Sequence, residues 1–94
     1  MHIITQKRIW DAKEKYPDAA NALDGWYRII RKNQFNCFSE LKKSFNSVDK
    51  VSDMHIFDIG GNKLRLIATI HFRSQKIYIR HILTHKEYDK GHWK

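Results

Sequence analysis

The closing segment THKEYDKGHWK groups side chains that can move protons. His85, Tyr88, Asp89 and His92 all lie within it, directly after an apolar stretch with strand character. If THKEYD forms a helical turn, His85 lies on one side with Tyr88, three residues on, and with Asp89, four residues on. Asp89 would then orient the imidazole of His85, and imidazole is well suited to general acid–base chemistry near neutral pH.

Cleavage of RNA without a metal ion is a reaction that these residue types fit. The 2′-hydroxyl must lose a proton, the leaving 5′-oxygen must gain one, and fixed cations must stabilise the anionic phosphate. His85 and Tyr88 supply acid–base groups, and Arg65 and Arg80 of the preceding strands supply cations. A structural interpretation stays open beside this one, with Arg65 as a solvated strand residue and Tyr88 and Trp93 as lids over the edge of the core.

The charge of the chain indicates the kind of partner that it binds. There are 18 Lys and Arg against 10 Asp and Glu, a formal net charge of +8. Hydrophobic residues at 41% and aromatic residues at 13% indicate a folded chain rather than a disordered one. A positive surplus of this size favours a polyanionic or acidic partner, with nucleic acid as the first candidate and an acidic protein as the second.

The residue patterns give no support to metal, disulfide or cofactor chemistry. Cys37 is the only cysteine, which excludes an internal disulfide and a multi-cysteine zinc site. His81 and His85 stand four apart, but a strand rather than a helix is predicted there, so we expect no metal site. The GGN stretch lacks the spacing of a phosphate-binding loop, and we expect no cofactor. With no signal peptide or membrane span in evidence, we expect a soluble cytoplasmic protein that does not enter a membrane.

The first half of the chain predicts helices. HIITQ is short and β-branched, which indicates an edge strand, with Thr5 as the cap of the helix that follows. QKRIWDAKEKY indicates a first helix that Pro17 stops, and residues 18–32 indicate a second one from the spacing of their apolar residues. SELKKSF predicts a third, short helix that begins at Ser39.

From residue 54 the apolar pattern changes to that of strands. Three strands joined by GGN and RSQ turns predict an antiparallel meander. In the second strand, alternation places Leu64 and Leu66 on one face and Arg65 and Ile67 on the other. In the third strand, the predicted faces are Ile77, Ile79, His81 and Leu83 on one side, and Tyr78, Arg80, Ile82 and Thr84 on the other. Residues 1–94 are therefore predicted to form a single α+β domain, with helices on a small antiparallel sheet whose other face is partly open.

Several stretches resemble a known family. HIFDIGGNKLRLIATIHF and KIYIRHILTHKEYDKG resemble the HigB group of the RelE-like toxins of bacterial type II toxin–antitoxin systems. The opening MHIITQKRIWDAKEKYPDA is similar to the start of that group, so the resemblance covers nearly the whole chain. It implies the RelE-like fold, in which N-terminal helices pack on a small antiparallel sheet.

The resemblance also implies an activity and partners. The activity is that of an mRNA endoribonuclease, an mRNA interferase, which cleaves translated mRNA on the ribosome and inhibits translation and growth. The partner is a cognate helix-turn-helix antitoxin that neutralises the toxin. The two would form a toxin–antitoxin complex, expected to be a heterotetramer, that binds operator DNA.

Residue by residue, the resemblance assigns roles to the candidate site. Arg65 matches the strand arginine after the GGN turn, Tyr88 the C-terminal phenol, and His85 the histidine of the TH signature. Arg80 matches the cation of the last strand, although His81 beside it is an alternative for that role. We expect Arg65 and Arg80 to bind the phosphate, His85 to be the main acid or base, and Tyr88 to donate a proton or stack on a base. The RNA backbone is expected to contact Lys63, Arg73 and Lys86.

Two other classes of function stay open on the sequence alone. A non-catalytic RNA- or ribosome-binding module would share the charge and the aromatic residues but would tolerate the loss of His85. A protein-interaction domain that serves mainly as the partner of an antitoxin would need its basic surface only for docking. The sequence also leaves open the base preference of cleavage, the identity of the antitoxin and which of His85, Arg80 and Tyr88 is acid or base.

Overall fold

The computed structural model describes all 94 residues. The strands are β1 (His2–Ile4), β2 (Asp49–Val51), β3 (Met54–Ile59), β4 (Leu64–His71) and β5 (Lys76–Thr84). The helices are α1 (Lys7–Lys15), α2 (Ala20–Lys32), α3 (Phe38–Ser44) and α4 (His85–Lys90), with a 3-10 turn at Pro17–Ala19 between the first two. None of these helices has both the length and the apolar character that crossing a membrane requires. The predicted α+β class is confirmed.

The sheet is mixed rather than wholly antiparallel. Strands β2 to β5 form an antiparallel meander, and β1 adds to the outer edge of β5 in the parallel direction, giving the order β1-β5-β4-β3-β2. The edge position of β1 was predicted, but its parallel pairing was not, because no local turn links two strands so far apart in sequence. Strand β2 was not predicted at all. Its three residues are exposed and include one apolar side chain, so they show no alternation.

Helices α1 and α2 cover one face of the sheet. The second of them buries Leu23, Trp26 and Ile30, which recur at helical spacing. The ring of Trp26 meets that of Phe57 in β3 edge-to-face at 5.4 Å between centroids. The opposite face, which we call the open face, lacks this layer, and α4 and the ring of Trp93 pack at one end of it.

A β-bulge in β5 shifts the pairing of the last two strands. Ile79 and His81 pair with the consecutive β4 residues Ala68 and Ile67, so Arg80 between them is the extra residue. A classic bulge of this kind bends the strand and interrupts its alternation of faces. Arg80 is exposed at this point.

The bulge reverses the faces of the second half of β5. Ile77 and Ile79 belong to the core under the helices, and Ile82 packs against the same core. Leu83 packs instead against the small apolar cluster on the open face. The prediction that placed His81 and Leu83 on the same face as Ile77 and Ile79 is therefore wrong, because strict alternation takes no account of an extra residue.

The predicted cap of α1 and the predicted first residue of α3 are also wrong. Thr5 has a φ of +65° and does not cap α1. Its hydroxyl accepts a hydrogen bond from the backbone N–H of Ile79 at 3.1 Å, so it ties the start of the chain to β5. Helix α3 begins at Phe38 with Cys37 as its N-cap, which leaves Ser39 inside the helix.

Candidate active site

The sequence of α4 defines both of its ends. Thr84 Oγ1 accepts from the backbone N–H of Glu87 at 3.2 Å, and Glu87 Oε1 accepts from the backbone N–H of Thr84 at 3.0 Å. This reciprocal pair is a capping box, which satisfies two free N–H groups at a helix start. Gly91, with a φ of +74°, ends the helix in a left-handed conformation that suits glycine. The predicted helical turn is confirmed, and it fixes the side chains of α4 beside the open face.

His85 and Asp89 form a pair on the exposed side of α4. Nε2 of His85 lies 3.5 Å from Oδ2 of Asp89, and the two side chains are 52% and 61% exposed. This distance is within ion-pair range but longer than an ordinary N–H···O hydrogen bond. The predicted spacing thus places Asp89 where it can orient the imidazole, while His85 remains open to a substrate.

Tyr88 is fixed by stacking. Its ring lies parallel to that of Trp93, with 5.0 Å between centroids and 12° between planes. The indole Nε1 of Trp93 donates to the backbone oxygen of Tyr88 at 2.9 Å. Trp93 in turn packs on Ile56 and Ile67 of the open face. Both aromatic rings therefore cover that end of the sheet as lids. Trp93, which is packed on the sheet, holds the half-buried Tyr88 in position.

Arg65 lies beneath Tyr88 and is buried, with 8% of its surface exposed. Its Nε lies 3.1 Å from Oδ1 of Asp58, and its Nη2 donates to Oδ1 of Asn62 at 3.2 Å. Its Nη1 donates to the backbone oxygens of Leu64 at 3.3 Å and Gly61 at 3.4 Å. These contacts use four of the five N–H donors of a guanidinium. The interpretation of Arg65 as a solvated strand residue is wrong, since it is a fixed charge that ties the GGN turn to the sheet.

The positive charge of Arg65 reaches the aromatic lid. Its Cζ lies 5.8 Å from the centre of the Tyr88 ring, within cation–π range. Helix α4 thus carries two contacting pairs, His85 with Asp89 and Tyr88 with Arg65 of β4, and we call these four residues the His85 edge.

Arg80 does not join this group. Its Nε donates to Oγ1 of Thr69 at 3.1 Å, and its Cζ lies 5.6 Å from the centre of the Tyr78 ring. It stands five positions before His85, which corresponds to roughly 16 Å along β5. The structure brings three of the four predicted catalytic residues together and leaves Arg80 further along the same face.

The three predicted RNA-backbone contacts lie at different places. Lys63 is engaged with Asp18, through an Nζ–Oδ2 distance of 3.6 Å and a hydrogen bond to its backbone oxygen at 3.1 Å. Arg73 is exposed in the turn between β4 and β5, and Lys86 is exposed in the first turn of α4. Among the three, Lys86 is the direct chain neighbour of His85.

A cleft on the other side of α4 was not predicted. It has a volume of about 270 Å³ and is lined by His81, Leu83, Glu87, Lys90, His92 and Trp93. We call it the His81 cleft. His92 belongs to the chemically rich closing segment, but the sequence gives it no role. Strict alternation along β5 predicts that His81 faces the core. The cleft could therefore have been predicted only with knowledge of the bulge.

The cleft combines a neutral histidine with a charged carboxylate. Burial lowers the pKa of His81, and the positive charges of Arg8 and Arg80 lower it further, so the ring is neutral at pH 7. Hydrogen bonds from the backbone and side chain of Thr84 lower the pKa of Glu87, so its carboxylate stays ionised. The lining of the cleft therefore combines a neutral imidazole, a carboxylate and the ammonium group of Lys90 with the apolar side chains of Leu83 and Trp93.

The two groups lie on opposite sides of α4. Successive residues of an α-helix turn by about 100°, which directs Glu87 and Lys90 away from His85 and Asp89. Tyr88 points between these two directions, toward Trp93. No set of three His, Cys, Asp or Glu side chains in the chain converges in the way that a protein metal site requires.

The fold and the C-terminal cluster agree with a RelE-like toxin, and comparison with known proteins identifies the family. Residues 19–91 match the HigB toxin family, the RelE-like toxic component of a toxin–antitoxin system. The chain is 48% identical over 92 residues to the mRNA interferase toxin HigB of Escherichia coli (strain K12), covering 95% of this chain and 88% of that protein. It is 37% identical over 93 residues to the mRNA interferase HigB of Escherichia coli O6:H1, covering 96% and 90%. The chain belongs to the HigB toxin family, as the resemblance implied.

Proposed function

We propose that this toxin is an mRNA interferase that cleaves translated mRNA on the ribosome. The observation that carries the proposal is the His85 edge, in a chain that is 48% identical to a protein named an mRNA interferase toxin. An exposed imidazole, a carboxylate that can orient it, a phenol and a fixed cation are the groups that RNA cleavage without a metal ion requires.

In the proposed reaction the 2′-oxygen of a ribose attacks the adjacent phosphorus, and the bond from phosphorus to the 5′-oxygen breaks. One group removes the proton of the 2′-hydroxyl and another protonates the leaving 5′-oxygen. His85 is the main acid or base, because it is exposed beside Asp89. Tyr88 acts with it, by donating a proton or by stacking on a base from the position that Trp93 gives it.

The cations act at different distances from the scissile phosphate. Arg65 supplies fixed positive charge beneath Tyr88, with one N–H donor left for the scissile phosphate. Arg80 is exposed at the bulge and binds a phosphate further along the strand. Lys86, Lys63 and Arg73 bind the RNA backbone, and Lys63 must exchange its contact with Asp18 to do so.

Membership of a toxin–antitoxin family implies an antitoxin as partner. We propose that this antitoxin is a helix-turn-helix protein and that the complex, a heterotetramer, binds operator DNA. The net charge of +8 supports an acidic partner of this kind as well as RNA. We place the toxin in the cytoplasm, where translated mRNA is found.

The test is cleavage of a reporter mRNA in a purified translation system, with cut sites mapped by primer extension. Wild type, His85→Ala and Tyr88→Phe are compared, with naked RNA as the substrate control and His2→Ala as a matched exposed-histidine control. Cuts that require ribosomes, disappear in His85→Ala and persist in His2→Ala support the proposal. Tyr88→Phe keeps the stack on Trp93 and tests the hydroxyl alone. Absence of cuts with wild type, on ribosomes and on naked RNA, refutes the nuclease activity.

A non-catalytic RNA- or ribosome-binding module is the second candidate. The observation in its favour is that Arg65 is 8% exposed and largely committed to protein acceptors. In that case wild type and His85→Ala would bind ribosomes and inhibit translation equally. Measuring ribosome binding beside cleavage separates the two candidates.

A further inference from the structure

The His81 cleft has the features of a ligand site rather than those of a packing gap. The apolar side chains Leu83 and Trp93 contribute to its lining, and polar groups from β5, α4 and the last turn converge on it. Small-molecule sites commonly combine an apolar lining with a few convergent polar groups. Its volume of about 270 Å³ suits one planar ring system, since it lies just below the roughly 300–1,000 Å³ of sites for larger ligands.

The polar groups of the cleft exclude some ligands and favour others. The carboxylate of Glu87 repels a phosphate, although Lys90 in the lining and the positive charges of Arg8 and Arg80 near His81 attract one. His81 is neutral, and a neutral imidazole offers one donor and one acceptor, as the edge of a nucleobase does. A base in the cleft with its phosphate at the rim satisfies both sets of charges.

We propose that the His81 cleft binds one nucleobase of the RNA to which the toxin is bound, and that Glu87 selects a base with an exocyclic amino group. This inference rests on the proposed function, because it concerns recognition of that RNA. The capping box uses Oε1 of Glu87, through Thr84 N and Oγ1, which leaves Oε2 as an acceptor. A carboxylate accepts well from the amino group of cytosine, and adenine and guanine carry amino groups too. Uracil has none, so the cleft discriminates against it.

The base can come from the messenger or from ribosomal RNA, and both sources share this chemistry. Single-stranded RNA displays unstacked bases that proteins read by hydrogen bonds and stacking. A messenger base in the cleft would give cleavage a sequence preference at a fixed distance from the cut. A ribosomal base would instead strengthen docking equally at every cut site.

The first experiment measures binding directly and does not depend on cleavage. Histidine-ring NMR spectra of the full chain are recorded with each of the four 5′-mononucleotides and with ribose 5-phosphate as a probe without a base. We expect AMP, CMP and GMP to shift the His81 and His92 resonances, with UMP and ribose 5-phosphate producing much smaller shifts. His2 serves as the internal reference. Equal shifts with ribose 5-phosphate, or no shifts with any nucleotide, overturn the proposal whether or not the protein cleaves RNA.

Glu87→Gln tests most directly whether the Glu87 carboxylate selects the base. Glutamine at this position preserves the capping box, so α4 is retained while the carboxylate is lost. We expect discrimination against UMP to fall by roughly tenfold, the size of one base contact. His81→Ala should weaken binding of every nucleotide, and Lys43→Ala on α3 should change neither property. Unaltered discrimination in Glu87→Gln would remove Glu87 from the proposal.

The second experiment identifies the source of the base. Cleavage is mapped on reporter messages in which each position near a cut is varied through four bases. Loss of preference at one position in His81→Ala and Glu87→Gln assigns the cleft to a messenger base. A uniform decrease at all cut sites, with the preference unchanged, assigns it to a ribosomal base. If both variants cleave like wild type in rate and preference, the cleft has no part in RNA recognition. If wild type makes no cuts, the proposed function fails, and the nucleotide spectra still decide the binding proposal.

Discussion

The two sides of α4 differ in how firmly their groups are held. At the His85 edge, His85 is paired with Asp89, Tyr88 is stacked on Trp93, and Arg65 is bonded on three sides. In the His81 cleft, the polar groups surround open space, and only Glu87 is tied to the helix start. Groups held in place before a reaction stabilise charge at little reorganisation cost, whereas open groups are available to a ligand. The contrast supports the proposal that chemistry takes place at the edge and recognition in the cleft.

The two sides also have different structural origins. The α4 part of the edge depends on local sequence, because the capping box and helical spacing bring His85, Tyr88 and Asp89 together, and Arg65 joins them from β4. The cleft depends on the bulge at Arg80, which turns His81 and Leu83 to the open face. A change at the bulge should therefore alter the cleft without altering the edge.

The largest expected effect comes from His85→Ala. We expect ribosome-dependent cleavage to fall by roughly 10²- to 10⁴-fold, since that is the usual contribution of a positioned acid or base. The measurement is single-turnover cleavage of one defined reporter message. His85 is exposed, so the variant should unfold in urea like wild type.

His81→Ala provides the counterpart on the other side of α4. Its effect on single-turnover cleavage at saturating toxin should be small, because the cleft contributes to binding and not to proton transfer. If His81→Ala lost as much catalysis as His85→Ala while retaining RNA binding, the assignment of chemistry to the edge would be reversed.

A smaller effect is expected from Arg65→Ala, and mainly on stability. The substitution leaves Asp58, Asn62 and the Gly61 carbonyl without their shared donor, so the free energy of unfolding should fall by about 1–3 kcal/mol. Urea unfolding measures this, with exposed Lys43→Ala expected within about 0.5 kcal/mol of wild type. An unchanged stability would mean that Arg65 is free to move to the phosphate, and the edge would be less rigid than described.

Arg80→Ala should weaken RNA binding rather than stability, the reverse of what is expected of Arg65→Ala. Arg80 is exposed, with one hydrogen bond to Thr69 and a cation–π contact with Tyr78, so stability should change little. Ribosome or RNA binding should weaken several-fold, and the slope of log affinity against log salt should fall by about 1, as for the loss of one phosphate contact. A salt slope equal to that of wild type would show that Arg80 does not bind phosphate.

Particular residues show which features of the fold and the site could be predicted from the sequence and which could not. The two N-terminal helices, the meander and the turn of α4 follow from local patterns that fold as they indicate. The pair of His85 and Asp89 was predictable because helical spacing alone fixes it. The parallel β1 and the burial of Arg65 were not, because they depend on contacts between distant segments. The His81 cleft was not, because one extra residue in IYIRHIL changes the face of every residue after it.

The smallest expected effect concerns a third histidine, His55, which belongs to neither side of α4. His55 is 2% exposed, lies between the rings of Phe38 and Phe72, and has no hydrogen-bond partner for either ring nitrogen. Burial lowers its pKa, Lys50 lowers it further, and Asp53 opposes this. The unfolded chain therefore binds more protons than the folded one, so stability falls as the pH drops below about 6.5, the unfolded-state value of histidine.

This decline must be known before a pH–rate profile is assigned to His81 or His85. His55→Leu should remove most of the difference in unfolding free energy between pH 7 and pH 5.5, because leucine has no proton to gain on unfolding. It should also raise stability at pH 7, since it removes two buried nitrogens without partners. Urea unfolding of wild type and His55→Leu at both pH values measures these changes. If the two proteins lost stability equally on acidification, the decline would come from other groups, and the profiles of His81 and His85 could not be corrected for His55 alone.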